Sequence, residues 1–181
     1  MTTVQDDRAP IMIPAVMDDG SLVPIEKMEA HRKGQLHLAI SAFVFDPAGR
    51  LLVQRRAAGK YHCPGQWANT CCTHPHWNEP IASAARRRLD EELGIGGLDL
   101  TERRTIDYRA DVGNDLIEHE RVTMYVATAD PNALRMDLNP EEVDAVDWLS
   151  ADELAERLRD TPETLTPWFR IYLERFPNLD I

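Results

Sequence analysis

The amino-acid sequence predicts an α/β fold in which a mixed β-sheet lies between helices and carries an N-terminal hairpin extension. Short apolar segments come in hairpin-like pairs early in the chain, an amphipathic helix separates them from further strands, and the chain finishes mainly with helices. The chain of 181 residues has no internal repeat and no linker-like segment. Residues 1–181 are therefore expected to form one domain, with residues 1–10 as a flexible arm.

Two β-hairpins are predicted before the first helix. IMIPAVMDDGSLVPI turns at its DDG tripeptide, and KMEAHRKGQ follows as a polar connection. LHLAISAFVFDPAGRLLVQRR contributes strands at 36–45 and 51–56 around a DPAG turn. The strand at 36–45 is apolar on both faces apart from His37 and Ser41, so it is expected to be central and buried.

A well-delimited helix is predicted over residues 81–93, after a loop at AAGKYHCPGQW. Asn78 is expected to cap the helix, Pro80 lies near its first turn, and Gly94 ends it. One face of this helix is apolar, which indicates that it packs on the sheet. That face consists of Ile81, Ala84, Ala85, Leu89 and Leu93.

The remaining elements are two strands, a short strand and two helices. Strands are predicted at 105–110 and 122–129 around the turn DVGND, and EVDAVDWLS is predicted to be a short strand. Ser150 is expected to cap a helix through ADELAERLRD, and a last helix is predicted at 165–176.

The net charge of −11 argues against nucleic acid or an anionic membrane as the main partner. The N-terminus has no signal-peptide pattern and no segment is long and apolar enough to span a bilayer, so a cytoplasmic protein is expected. Two basic clusters, around Arg56 and Arg87, suit a small anion such as a phosphate. The alternative is that these side chains are simply solvated.

The segment NTCCTHPHWNEP, residues 69–80, combines adjacent cysteines with two histidines. It could form a disulfide, bind a metal, or place a catalytic thiol beside a metal. A bond between Cys71 and Cys72 requires a strained ring, and three cysteines in a reducing compartment are expected to be thiols.

The charged helix at 81–93 continues this segment. Its charges could form only intrahelical ion pairs on a solvated face. However, Glu79, Arg87 and the sequence RLDEELGI resemble the Nudix box, a pattern of 23 positions that begins here at Thr73. Thr73 replaces the Gly of the box and Arg88 replaces a Glu. Since the carboxylates of the box hold the cations that activate water on a diphosphate, Arg88 should favour binding a diphosphate over cleaving it.

Several further segments resemble type I isopentenyl diphosphate isomerase, a branch of the Nudix superfamily. They are EKMEAHRKGQLHLA, QRRAAGKYHCPG, GQWANTCCTHP, DYRADVGNDLIEHERV and TPWF, in this order from residue 26 to 169. The resemblance implies a Nudix-like fold, an isoprenoid diphosphate as the small-molecule substrate, and a monomer.

The resemblance also implies two cation sites. One divalent metal, Mn²⁺, Zn²⁺ or Mg²⁺, is expected at His31, His37, His74, Glu118 and Glu120. His31 and His37 lie six positions apart, one fewer than in the bacterial pattern. A Mg²⁺ ion that bridges the diphosphate is expected at Glu92 and the backbone carbonyl of Cys72. His62, His76 and His119 match no ligand position and are expected to be structural or exposed.

The implied reaction is a 1,3-allylic proton shift between isopentenyl and dimethylallyl diphosphate, which supplies isoprenoid biosynthesis. Glu120 is expected to protonate the alkene with help from Tyr108, Cys72 to remove the opposite proton, and Trp168 to stabilise the cation. Cys71 is expected to lie in the core, and Trp168 could alternatively be a core residue. The diphosphate is expected to contact Lys27, Arg56, Lys60 and Arg88.

Two other functions remain open from the sequence. A Nudix hydrolase would release phosphate or a monophosphate from a diphosphate compound, but Arg88 and the proximity of Cys72 to His74 disfavour it. A Nudix-fold sensor or metal buffer would bind without turnover, but it would have no use for the thiol.

Overall fold

The computed structural model describes residues 10–181, so residues 1–9 of the expected arm lie outside the described residues. The strands are β1 Met12–Val16, β2 Leu22–Glu26, β3 His37–Phe45, β4 Leu51–Arg56, β5 Trp67–Ala68, β6 Cys71–Thr73, β7 Thr101–Gly113, β8 Leu116–Thr128 and β9 Val143–Leu149. The helices are α1 Lys27–Lys33, α2 Ile81–Leu93, α3 Ala151–Asp160 and α4 Pro167–Arg175, with a 3₁₀ turn at Pro162–Thr164. No helix among these is long and apolar enough to cross a membrane.

Strand β3 lies at the centre of the mixed sheet, as its apolar pattern predicts. It pairs antiparallel with β1, β4 and β6, and it pairs in parallel with β8 over its whole length. Residues 40–42 of β3 pair with β6 and β8 at once, so these two strands lie on opposite edges of β3. The N-terminal hairpin β1–β2 extends the sheet on the β1 side, as expected.

Helices cover both faces of the sheet. On one face, Phe43 of β3 packs in an apolar cluster with Phe169 and Tyr172 of α4. On the other, Ile40 of β3 packs in a second cluster with Leu89 of α2. Because side chains alternate along a strand, odd-numbered positions of β3 face α4 and even-numbered positions face α2. The structure therefore confirms an α/β fold with a mixed sheet between helices.

The predicted polar connection at KMEAHRKGQ was wrong, because its first seven residues form helix α1. The Glu26 carboxylate accepts hydrogen bonds from the backbone N–H groups of Met28 and Glu29, both at 2.8 Å. Gly34 ends the helix in the left-handed conformation, with φ of 60°. These caps stabilise a helix whose own apolar face is too short to be recognised in the sequence.

Helix α2 has the predicted bounds and ends at Gly94, whose φ is 63°. The expected cap at Asn78 was wrong: helix α2 starts after Pro80 without a side-chain cap, and Asn78 has a φ of 68° in the preceding turn. Ser150 does cap α3, in a reciprocal capping box with Glu153.

Other element boundaries differ from the predictions. Strand β7 extends beyond the predicted range 105–110 at both ends, and β8 begins earlier than the predicted range 122–129. Both strands are longer because their cross-strand pairing continues through polar positions. The last helix starts at Pro167 rather than at 165, after the 3₁₀ turn. The short strands β5 and β6 were not predicted, since two or three residues give too short a pattern.

Candidate active site

The candidate site lies on the α4 face of the sheet, across three neighbouring strands. His37 and Ser41 point to this face from the central strand β3. Glu120 of β8 is the pairing partner of His37, and Cys72 of β6 is the pairing partner of Ser41. Directly paired residues share a face, so the carboxylate and the thiol approach the same space from opposite edges of β3.

Three histidine rings gather at one end of this site. His31 comes from α1, His37 begins β3, and His74 directly follows β6. Their ring centroids lie 4.9 to 5.1 Å apart. Together with Glu120 they form a group whose potential ligand atoms all lie within 4.8 Å of one another. Four of the residues that the resemblance indicated as metal ligands, including His31, therefore lie together in the fold.

The hydrogen bonds of two histidines fit a bound metal ion. The Nδ1 atoms of His31 and His37 each lie 2.7 Å from a backbone carbonyl, of Lys27 and Gln35 respectively. A carbonyl can only accept, so Nδ1 carries the hydrogen and Nε2 carries a lone pair. Both Nε2 atoms are buried without a hydrogen-bond partner within the described part of the chain. A divalent ion would satisfy both lone pairs.

Glu120 is held next to these rings as an anion. Its Oε1 lies 2.9 Å from His74 Nε2 and 3.7 Å from His37 Nε2. Burial alone would raise the pKa of Glu120, but the hydrogen bond with His74 and the nearby ring of His37 outweigh it and hold this pKa well below its usual range. Burial lowers the pKa of His74 to about 3. A carboxylate and a neutral imidazole are the forms that bind metals.

Glu118 lies on the same face of β8 as Glu120 but contacts different residues. Its Oε1 lies 3.1 Å from His62 Nε2, and its Oε2 lies 2.8 Å from the Tyr108 hydroxyl oxygen. Burial and the nearby Glu120 raise the pKa of Glu118 well above its usual range. The structure thus brings four of the five expected ligands together, and ligation by Glu118 stays a prediction.

His62 is a site residue whose role the sequence did not reveal. It was expected to be structural or exposed, and it is buried between Glu118, Arg56 and Trp168. Burial and the charge of Arg56 lower its pKa to about 2. His119, in contrast, points to the other side, where its Nδ1 lies 3.0 Å from the Gly34 carbonyl. No local pattern distinguishes the two histidines, since only the fold places His62 beside Glu118.

Cys72 packs against the apolar cluster on the α4 face, but its sulfur is next to polar side chains. Its Sγ donates to Asn69 Oδ1 at 3.1 Å and lies 3.2 Å from Ser41 Oγ, which is itself 2.9 Å from the Tyr172 hydroxyl. Burial raises the pKa of Cys72 to about 12, so the thiol is the resting form. The neighbouring Cys71 is fully buried in the α2-side cluster, as expected. Both are free thiols, which excludes a disulfide between them.

Four basic side chains lie close to one another near His62: Lys27, Arg56, Lys60 and Arg88. Burial lowers the pKa of Lys27, and the charges of Arg88 and Arg56 lower it further. Burial also lowers the pKa of Lys60, and the charges of Arg56 and Arg88 lower it further. The basic residues that the sequence suggested as a phosphate pocket are therefore close enough to repel one another.

Two carboxylates balance this positive charge. Glu92 is buried, and its two oxygens lie 2.8 Å from Arg88 Nε and 2.7 Å from Gln54 Nε2. Glu142, which the sequence analysis did not single out, lies 2.6 Å from Arg88 Nη2 and also contacts Lys60.

Trp168 closes the site from α4 and is 2% exposed. The Arg56 guanidinium lies 5.3 Å from its ring centroid, so a cation already occupies one side of the indole. Its Nε1 is buried and has no hydrogen-bond partner among the described residues. Trp168 is therefore both a core residue and a lining residue of the site.

Comparisons with known proteins agree on one family. Residues 35–169 match the NUDIX domain. Proteins named isopentenyl-diphosphate Delta-isomerase are 55% identical in Cereibacter sphaeroides, over 90% of both chains, and 50% identical in Rhodobacter capsulatus, over 93% of this chain and 94% of that one. A third such protein, from Jannaschia, is 51% identical over 89% of this chain and 90% of its own.

Solved structures show the same fold. A Deinococcus radiodurans protein superposes with a TM-score of 0.73 at 17% identity, over 91% of this chain and 98% of that one. A MutT Nudix hydrolase from Burkholderia pseudomallei gives a TM-score of 0.58 at 28% identity, over 77% of this chain and 97% of its own.

Proposed function

Because the chain belongs to the Nudix superfamily and, within it, to the isopentenyl-diphosphate Delta-isomerases, we propose how its residues carry out that isomerisation. The enzyme interconverts isopentenyl and dimethylallyl diphosphate. Hydrolysis of a diphosphate is not favoured, because the relatives that are 50% and 55% identical over most of the chain are named isomerases.

The observation that carries the proposal is the placement of Cys72 and Glu120 on opposite edges of β3, facing one space. A 1,3-proton shift needs one group that gives a proton to the terminal alkene carbon and another that takes a proton from C2 on the opposite side. Both groups must be fixed at the same time, because the tertiary cation between the two steps reacts rapidly with any nucleophile.

Glu120 and Tyr108 supply the first proton in this proposal. The Tyr108 hydroxyl lies 2.8 Å from both Glu118 and Glu120. The raised pKa of Glu118 leaves a proton on its carboxyl, and Tyr108 can relay that proton toward Glu120. A divalent ion at His31, His37, His74 and Glu120 would increase the acidity of these carboxyls, and Glu118 could bind it only after giving up its proton.

Cys72 takes the second proton in the forward direction. With a pKa of about 12, it is a thiol at rest, which is the form that donates in the reverse direction. The forward reaction therefore uses the minor thiolate form, which the Ser41 hydroxyl can stabilise by donating a hydrogen bond to the sulfur. The thiol and the carboxyl exchange the roles of acid and base when the reaction reverses.

The remaining residues bind the substrate. Lys27, Arg56, Lys60 and Arg88 provide the positive charge that a diphosphate needs, and a Mg²⁺ ion would be held by Glu92 and the Cys72 carbonyl. Trp168 stabilises the tertiary carbocation through the face of its indole ring that Arg56 does not cover. The acidic net charge supports a small-molecule partner rather than a nucleic acid, and the free thiols support the proposed reducing, cytoplasmic compartment. The proposed monomer rests on the family resemblance.

Incubation with isopentenyl diphosphate and Mg²⁺ in deuterated water, followed by NMR, tests the proposal. We expect deuterium-labelled dimethylallyl diphosphate from the wild type and from Cys71→Ala, and none from Cys72→Ala. Release of phosphate with the alkene unchanged would instead indicate a hydrolase. Binding without turnover, also when Mn²⁺ or Zn²⁺ is supplied, would indicate a sensor.

A further inference from the structure

One carboxylate lies inside the cluster of basic side chains where the diphosphate is proposed to bind. Glu142 precedes β9, and a single oxygen, Oε2, lies 2.6 Å from Arg88 Nη2 and also accepts from Lys60 Nζ. The two partners come from different elements, α2 and the loop after β4. One oxygen shared by an ammonium and a guanidinium is the arrangement that a phosphate oxygen makes with the same groups.

The charges of these groups show why a carboxylate is present. Burial and neighbouring arginines disfavour the charged forms of Lys27 and Lys60, whereas Glu142 favours them. Burial would raise the pKa of Glu142 itself, but Lys60 and Arg88 outweigh it and lower this pKa. Glu142 is therefore an anion that offsets repulsion among four cations when no substrate is present.

The backbone around Glu142 is fixed, although its side chain is not enclosed. The Glu142 N–H donates to the Asn139 carbonyl at 2.9 Å, and the Glu142 carbonyl accepts from the Ala57 N–H at 3.0 Å. The side chain retains 21% of its exposure. Rotation about side-chain bonds is thus enough to withdraw the carboxylate without disturbing the strand.

We infer that Glu142 is a placeholder for the diphosphate: its carboxylate occupies the anion subsite of the free enzyme and is displaced when substrate binds. The inference rests on the proposed role of Lys60 and Arg88 as diphosphate-binding residues. Glu142 keeps these two side chains in position and charged between turnovers, and it returns to them as the product leaves. It also excludes weak anions, because a ligand must outcompete an attached carboxylate at a high effective concentration.

Inorganic pyrophosphate, titrated calorimetrically without added Mg²⁺, tests this placeholder role in four forms of the enzyme. Glu142→Gln removes the charge but keeps the shape, Glu142→Asp keeps the charge, and Glu141→Gln removes the exposed neighbouring charge. We expect Glu142→Gln to bind pyrophosphate about tenfold more tightly than the wild type, since a competing unit charge is removed at short range. Glu142→Asp and Glu141→Gln should stay within about threefold of the wild type.

Thermal unfolding of the same proteins gives a second measurement. Without pyrophosphate, Glu142→Gln should unfold at a lower temperature than the wild type, and saturating pyrophosphate should remove that difference. A crystal structure of the wild type with pyrophosphate tests displacement directly, whatever the stability of the variant. There the Glu142 carboxylate should no longer contact Lys60 or Arg88.

Two results would overturn the inference in distinguishable ways. Equal or weaker binding by Glu142→Gln, or a pyrophosphate complex with the Glu142 contacts intact, would show that Glu142 only positions its partners, and the proposed diphosphate pocket would stand. Absence of pyrophosphate binding in all four proteins, with and without Mg²⁺, would reject the pocket itself.

Discussion

Tyr108 and Glu120 face each other across β7 and β8, and the Tyr108 hydroxyl lies 2.8 Å from Glu120 Oε2. The same hydroxyl lies 2.8 Å from Glu118 Oε2. A hydroxyl has one hydrogen, so it can donate to one of the two carboxylates at a time. The other contact requires a proton on the carboxyl group, which agrees with the raised pKa of Glu118. The three groups thus share two protons.

Removing this hydroxyl should slow proton transfer without unfolding the protein. We expect Tyr108→Phe to lower kcat about 100-fold with little change in KM, because relay by a positioned acid contributes on that scale. Tyr125→Phe is the matched control, since Tyr125 is equally buried but contacts Glu102, away from the site. Steady-state kinetics and circular dichroism would check both, and a KM effect alone in Tyr108→Phe would contradict the relay.

The pH dependence of Cys72 alkylation follows from its raised pKa. Only the thiolate reacts, and a pKa of about 12 keeps the group protonated until the pH approaches that value. In a Cys63→Ser, Cys71→Ala background, the rate with iodoacetamide at pH 8 should be about 10³-fold below that of an ordinary cysteine. The rate should rise about tenfold per pH unit up to pH 10. A rate that has levelled off by about pH 9.5, measured by mass spectrometry, would show a normal thiol.

His37 is the most informative position for the metal. Its Nε2 is buried without a partner in the described chain, so His37→Asn removes a lone pair that only a ligand could use. We expect about 30- to 100-fold weaker metal binding, and hence loss of about 2–3 kcal/mol of metal-dependent stabilisation at saturating ion. Elemental analysis after dialysis and thermal unfolding with and without chelator would measure both. The exposed His76 provides the control, and His76→Asn should behave as the wild type.

Gly94 is required by the geometry at the end of α2. Its φ is 63°, and an added Cβ would lie 2.7 Å from the backbone nitrogen of Asp137. We expect Gly94→Ala to lower the free energy of unfolding by about 2–4 kcal/mol, from left-handed strain and the clash together. Gly96→Ala should change it by less than about 0.5 kcal/mol, because no atom lies within 4 Å of its added Cβ. Urea denaturation compares the two, and equal effects would rule out this explanation.

The sequence predicted what depends on periodicity and on motifs. The two-sided apolar pattern of residues 36–45 correctly placed β3 at the centre, and Gly94 correctly marked the end of α2. The sequence did not predict α1, because this helix depends on a side-chain cap by Glu26 rather than on an apolar stripe. It also missed His62 and Glu142, since their partners are distant in the chain and only the pairing of strands and loops brings them together.

The parallel pairing of β3 with β8 also determines when the enzyme becomes functional during folding. His37 and Glu120 are distant in sequence, and a parallel connection cannot form through a tight turn. Such non-local pairing is slow, because the entropy of closing a long loop is lost before the contacts form. We expect a refolding chain to gain helical content first and to acquire its metal affinity only in the final kinetic phase. Metal uptake would then report completion of the native topology in real time.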